Sequence, residues 1–132
     1  ERPTRLRGYF NYKTAPINKA STEYQNLLGQ PDTCIVWCAL IDSPQPFECR
    51  TNPKDQNLFN PSASYVVAYG KMQCGDNIPQ YIPFEVNLEY TATNRQPKYI
   101  LVVASSSKYG DYFTGGDGAV MCLDDLELEY DY

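Results

Sequence analysis

The 132-residue chain contains no histidine. That absence removes Ser-His-Asp and Cys-His nucleophile systems, every His-ligated zinc site and a histidine general base. Any catalysis would fall to carboxylates, lysines, tyrosines and thiolates. Charge is also sparse, at 20% of residues, and basic groups are in the minority: 11 Lys and Arg stand against 16 Asp and Glu, a net charge of -5. Nucleic-acid binders carry a basic footprint, so no nucleic-acid partner is expected. No run approaches the roughly 20 apolar residues of a membrane-spanning helix. There is no CxxC, which argues against a zinc ribbon or a thioredoxin-type site.

The five cysteines are Cys34, Cys38, Cys49, Cys74 and Cys122, an odd number. Cys34 and Cys38 lie four apart in a strand-like run, which sets their Cα atoms about 13 Å apart. A disulfide needs less than about 7 Å, so these two cannot bridge. The set reads as small buried apolar residues, as one disulfide between separate strands or loops, or as a reactive thiol.

What is abundant is period-two alternation, the mark of half-buried strands. Between Arg5 and Lys13, Leu6, Phe10 and Tyr12 face one way and Arg5, Arg7 and Lys13 the other. Ile82 to Tyr90 alternates as well, and Pro83 places that strand's start there or the strand at an edge. Cys34–Ile41 and Tyr99–Ala104 are apolar on both faces, which predicts central strands covered on both sides. Ser64–Met72 and Ala119–Tyr130 are further strands, separated by proline, asparagine and glycine turns. A short helical pattern runs from Ser21 to Leu28, with Ser21 as a possible N-cap and Gly29 as its stop. Many short strands without a repeat or linker predict one all-β sandwich or barrel domain over 1–132.

The two ends carry opposite charge. Arg5 and Arg7 on the first strand match Asp125, Glu127 and Glu129 on the last, and facing opposite charges stabilise strand pairing. The first and last strands are therefore expected to be neighbours, as jelly rolls commonly arrange them.

The run Ser105 to Gly118 followed by Leu123 to Leu128 closely resembles the signature of the putative carbohydrate metabolism domain family. Arg2-Pro3-Thr4 with Leu6 to Lys13, Gly29 to Cys34, Arg50 to Pro53, Leu58-Phe59, Val67 to Gly70 and Pro97 to Ile100 resemble the rest of it in order. The resemblance implies a jelly-roll β-sandwich of two antiparallel sheets, of the carbohydrate-binding kind. It also implies a C-terminal placement behind upstream domains, in secreted or surface-anchored proteins of bacteria that live on complex glycans. The start at Glu1 fits a fragment of a longer polypeptide. The resemblance supplies no catalytic residues.

Among the candidate sites, the loop Lys108 to Gly118 ranks first. Aromatic rings bind sugars because the C–H faces of a pyranose pack on flat apolar surfaces while nearby polar groups fix the hydroxyls. Tyr109 and Tyr112 are the expected stacking rings, Asp111 and Asp117 the polar partners, and Phe113 the core anchor. The competing reading has the tyrosines capping the sandwich end. Asp124 alternates onto the apolar face with Val120, Cys122, Leu126 and Leu128, where a buried carboxylate needs hydrogen bonds or a cation. A structural calcium held by Asp124 with Asp111, Asp117 and Asp32 would meet that need. Asp124 and Asp125 point to opposite faces, and Asp125 and Glu127 are expected on one flat face without a cleft, which disfavours a glycosidase pair. Ser107 and Lys108 also point apart, so they form no nucleophile pair.

The functional expectation is a non-catalytic glycan-binding module. A structural or adhesive sandwich without ligand is the alternative, and a glycoside hydrolase accessory or catalytic domain is third.

Overall fold

The computed structural model describes residues 2–131 and is a β-sandwich. Its strands are β1 (Pro3–Lys13), β2 (Cys34–Ile41), β3 (Val66–Cys74), β4 (Ile78–Asn87), β5 (Glu89–Tyr90), β6 (Tyr99–Ser105) and β7 (Val120–Tyr130). They form a three-stranded sheet, β4-β1-β7, and a four-stranded sheet, β5-β3-β2-β6, with every pairing antiparallel. Alternation places Leu6, Phe10 and Tyr12 of β1 and Phe84 and Val86 of β4 inward, against Val36, Cys38 and Leu40 of β2 and Ala68 of β3; Val67 joins them where the β2–β3 register slips. Phe10 and Phe84 meet edge-to-face with centroids 5.9 Å apart. The chain passes from one sheet to the other at Leu88, between β4 and β5. Pro83 lies in β4, an edge strand, where its missing N–H costs no ladder bond on the open side.

The two doubly apolar runs have different fates. β2 is central, and its outer face is covered by the long connection to β3: Phe59 stacks on Trp37 at 4.7 Å, and Phe47 meets Phe59 edge-on. The run Tyr99–Ala104 is instead an edge strand, contrary to the expected central position. Its register opposite Leu40, Cys38 and Val36 puts Ile100, Val102 and Ala104 on the inner face at the rim. Ile100 and Val102 remain 42% and 43% exposed. Periodicity reports apolarity, not which element covers it.

The first and last strands are neighbours. Arg5 Nε lies 2.8 Å from Glu129, while Arg7 lies 3.0 Å from Glu127 and 2.9 Å from Glu129. Asp125 is not part of this ladder. Between Arg7↔Glu127 and Tyr9↔Asp124 the register slips, and Asp125 sits in the left-handed region at φ 50°. Such a bulge adds a residue to one strand and shifts every later side chain. Arg7 faces two carboxylates, and they raise its pKa, chiefly through the hydrogen bond with Glu127. Arg7→Glu should lower the melting temperature modestly, because the pair is exposed. Adding Glu127→Lys should restore part of that loss. A double mutant whose losses simply add would show that this cross-strand contact contributes no coupling.

The helical pattern at Ser21–Leu28 is realised as a 3₁₀ segment, Thr22–Leu27, kinked at Tyr24. Ser21 makes no side-chain cap; its amide donates to Thr114 Oγ1 at 3.1 Å. Gly29 ends the segment at φ +85°, the conformation that glycine adopts without a Cβ clash.

Candidate functional site

At one end of the sandwich the β1–β2 connection meets the β6–β7 connection. The amide of Lys19 donates to Gly115 O at 3.1 Å, and the Gly115 amide donates to Lys19 O at 2.9 Å. Asp32, only 1% exposed, is the tie beneath them. Its Oδ2 accepts from Ser107 Oγ at 2.6 Å and from the Gly116 amide at 2.8 Å, and its Oδ1 accepts from the Thr33 amide at 2.8 Å. Tyr12, buried in the core below, donates its hydroxyl to Ser106 O at 2.8 Å. Burial, with the Asp32 charge nearby, pushes that phenol up to about 12. Thr114 is also buried and donates to Tyr112 O at 3.1 Å. A loop rich in glycine and serine is thus held in one shape by buried polar contacts.

The rings above this base divide into two groups. Tyr24 packs against Tyr109 at 4.9 Å and Tyr112 at 5.4 Å. Lys108 Nζ lies 5.2 Å from the Tyr109 ring, so Tyr109 is half-buried between a cation and a phenol. Its expected role as an open stacking surface does not match this placement. The expectation for Phe113 is overturned outright: it is 63% exposed and anchors no core. It follows the 3₁₀ turn Gly110–Tyr112 at φ 54°, and its amide donates to Gly110 O at 3.0 Å. Left-handed backbone at a bulky residue is strained, and here burial offers no compensation. Tyr112 is 41% exposed beside it.

Phe113 lines a shallow cavity of about 300 Å³ with Lys19, Ser107, Thr114 and Asp117. That volume falls at the small end of ligand sites. Lys19 Nζ lies 3.2 Å from Asp117 Oδ2, and the Asp117 amide donates to Asn18 Oδ1 at 3.0 Å. Asp111, by contrast, lies outside the cavity lining and near Cys49, whose thiol is pushed up first by burial and then by the Asp111 charge. Lys19, Asn18 and Tyr24 were not legible as site residues, because they come from the other connection and only the fold brings them here.

The calcium set is not assembled. Among the described residues no three His, Cys, Asp or Glu side chains are grouped to hold a metal ion. Asp124 is exposed on β7 rather than buried, and its Oδ1 accepts from the Asp125 amide at 2.9 Å. The bulge turns it off the apolar face, and Leu126 and Val120 are themselves about half exposed. Among the described residues Asp32 is the buried carboxylate, and both its oxygens already have donors. The expected flat face around Asp125 and Glu127 is also corrected. Gly8 and the bulge leave a depression of about 490 Å³ lined by Arg7, Tyr9, Glu85, Asp125 and Glu127.

The family model of the putative carbohydrate metabolism domain matches residues 1–129. The chain belongs to that family. No curated protein matches this domain. Among solved structures it is similar to a putative glycoside hydrolase of Bacteroides thetaiotaomicron vpi-5482, with a TM-score of 0.69 and 19% identity. It is also similar to a putative glycoside hydrolase of Bacteroides vulgatus ATCC 8482, with a TM-score of 0.72 and 22% identity. The domain is covered to 98% and 97%, but it spans only 38% and 52% of those two chains. At such identity the likeness establishes the shared sandwich fold.

Proposed function

We propose that this carbohydrate metabolism domain is a non-catalytic glycan-binding module whose binding surface is the tip around Phe113. It would work outside the cytoplasm, on a secreted or surface-anchored bacterial protein, with upstream domains of the same polypeptide as neighbours. The observation that carries the reading is Phe113 itself: an exposed phenylalanine held in left-handed backbone at the rim of a shallow cavity that Lys19 and Asp117 also line. Strain without burial is what a ligand-facing group shows when the surrounding loop is built to present it. A pyranose could lie on Phe113 while Lys19 and Asp117 bond its hydroxyls, with Tyr112 extending the apolar surface. Tyr24 and Tyr109 then act as the support behind them.

The catalytic alternative is weaker. Glycoside hydrolysis normally uses two carboxyl groups, one carrying a proton. In the depression near Gly8, Glu85 and Glu127 are ion-paired to Arg5 and Arg7, at 3.7 and 3.0 Å, so guanidinium groups already occupy both carboxylates.

A glycan array on the intact domain, followed by titration calorimetry of the best hit, tests the proposal. Phe113→Ala should weaken that hit by roughly 5- to 150-fold, since a stacking ring contributes roughly 1–3 kcal/mol by analogy with bases on aromatics. Phe113→Gly should weaken it equally while holding or raising the melting temperature, because glycine relieves the left-handed strain. Tyr109→Ala should lower both binding and stability. Unchanged affinity in both Phe113 variants would remove the tip from the binding site.

A further inference from the structure

β2 begins and β3 ends with a cysteine, and the register sets Cys34 directly opposite Cys74. Side chains of directly opposed residues project from the same face of the sheet. Cys34 is part of the core, and Cys74 packs against it. Opposed residues in antiparallel strands have Cα atoms about 4.5–5.5 Å apart. Disulfides span Cα distances of about 4.4–6.8 Å, so the backbone already sits within bridging range. The other three cysteines have no such partner by register: Cys38 faces Gly70 and Val102, Cys122 faces Asn11, and Cys49 lies in the β2–β3 connection. We propose that Cys34 and Cys74 form a cross-strand disulfide under oxidising conditions.

The two thiols differ in access, which orders the chemistry. Cys74 is partly exposed and its Sγ is 3.6 Å from Asp76 O, whereas Cys34 is fully buried. Burial pushes the Cys34 thiol up to about 11, so it is the poorer first nucleophile. With glutathione disulfide as oxidant, the Cys74 thiolate attacks one sulfur and releases one glutathione thiolate, leaving a mixed disulfide. Cys34, losing its proton, then attacks the Cys74 sulfur and releases the second glutathione. Two protein thiols are oxidised to one disulfide, and one glutathione disulfide is reduced to two thiols. The bridge would join β2 to β3 two residues from Asp32, at the base of the loop tip.

The experiment uses the whole chain, reduced and then incubated with glutathione disulfide, alkylated under denaturing conditions and mapped by mass. The expected result is loss of two alkylatable thiols, a Cys34–Cys74 peptide pair and no retained glutathione at either position. Closing a loop of this length should raise the melting temperature by about 5–15 °C. Cys74→Ser, at a partly exposed position that should tolerate it, should fold and show no such rise. Persistent glutathione on Cys74 with Cys34 still alkylated would overturn the proposal. So would a bridge from either residue to Cys38, Cys49 or Cys122.

Discussion

Replacing Asp32 with alanine should cost about 3–5 kcal/mol and dismantle the tip, although Asp32 lies outside the lining of the proposed cavity. The carboxylate accepts from a hydroxyl and two backbone amides, all in part-buried surroundings. Hydrogen bonds to a charged acceptor are worth roughly 1.5–3 kcal/mol each, but bonds sharing one carboxylate do not add in full. Truncation leaves the Ser107 hydroxyl and the Gly116 and Thr33 amides without their acceptor, which is dearer than never having made the bonds. Asp32→Asn keeps the shape, yet its NH₂ must face an N–H or O–H donor that needs an oxygen, so roughly 2–3 kcal/mol should still be lost. Ser107→Ala removes one of the three bonds and should cost about 1–2 kcal/mol. Urea denaturation gives the order Asp32→Ala, Asp32→Asn, Ser107→Ala. If Asp32→Ala unfolds at the wild-type midpoint, the carboxylate is not the tie between the two connections.

The same chemistry explains what could be read before the fold was seen. Strand identity was legible wherever one face is wet: Leu6, Phe10 and Tyr12 alternate with Arg5, Arg7 and Lys13, and the core takes the first set. Charge complementarity predicted the β1–β7 pairing because both strands expose their ladders on the same outer face. It misassigned Asp125 because a bulge is set by one residue's φ, which no alternation encodes. Asp124 failed with it, since slipping the register moves a side chain to the other face. Asp32 was legible as a polar candidate but not as the buried one. Its donors Ser107 and Gly116 lie 75 and 84 residues away in sequence. Phe113 points outward and Tyr109 is half-buried, the reverse of the expected exposures, for a related reason. Both ring types suit a core or a platform, and the left-handed turn at Phe113 decides which one points out.

The crossing between sheets should prove equally intolerant of change. β4 leaves the three-stranded sheet at Asn87, and Leu88, buried, donates its amide to Thr4 O at 3.0 Å before β5 joins β3. At this crossing Asn87 presses its carbonyl onto Gly70 of β3. A Cβ on Gly70 would lie 2.0 Å from Asn87 O and 3.1 Å from Val86 Cγ1. Neither Asn87 nor Val86 has much freedom to retreat. Val86 is fully buried, and Asn87 is paired with Arg5 across the β1–β4 ladder. Gly70→Ala must therefore separate the sheets at the crossing or break that end of β4, and should destabilise by about 3 kcal/mol or more. Gly118→Ala is the matched control, with a positive φ of +93° and nothing within 4 Å of the added carbon. It should lose only the backbone strain, roughly 1–2 kcal/mol. Equal shifts in the two variants would mean that Asn87 yields freely and that Gly70 does not pin the sheets together. A Gly70→Ala loss clearly larger than that of Gly118→Ala, accompanied by faster amide exchange at Val86 and Leu88, would locate the strain at the crossing.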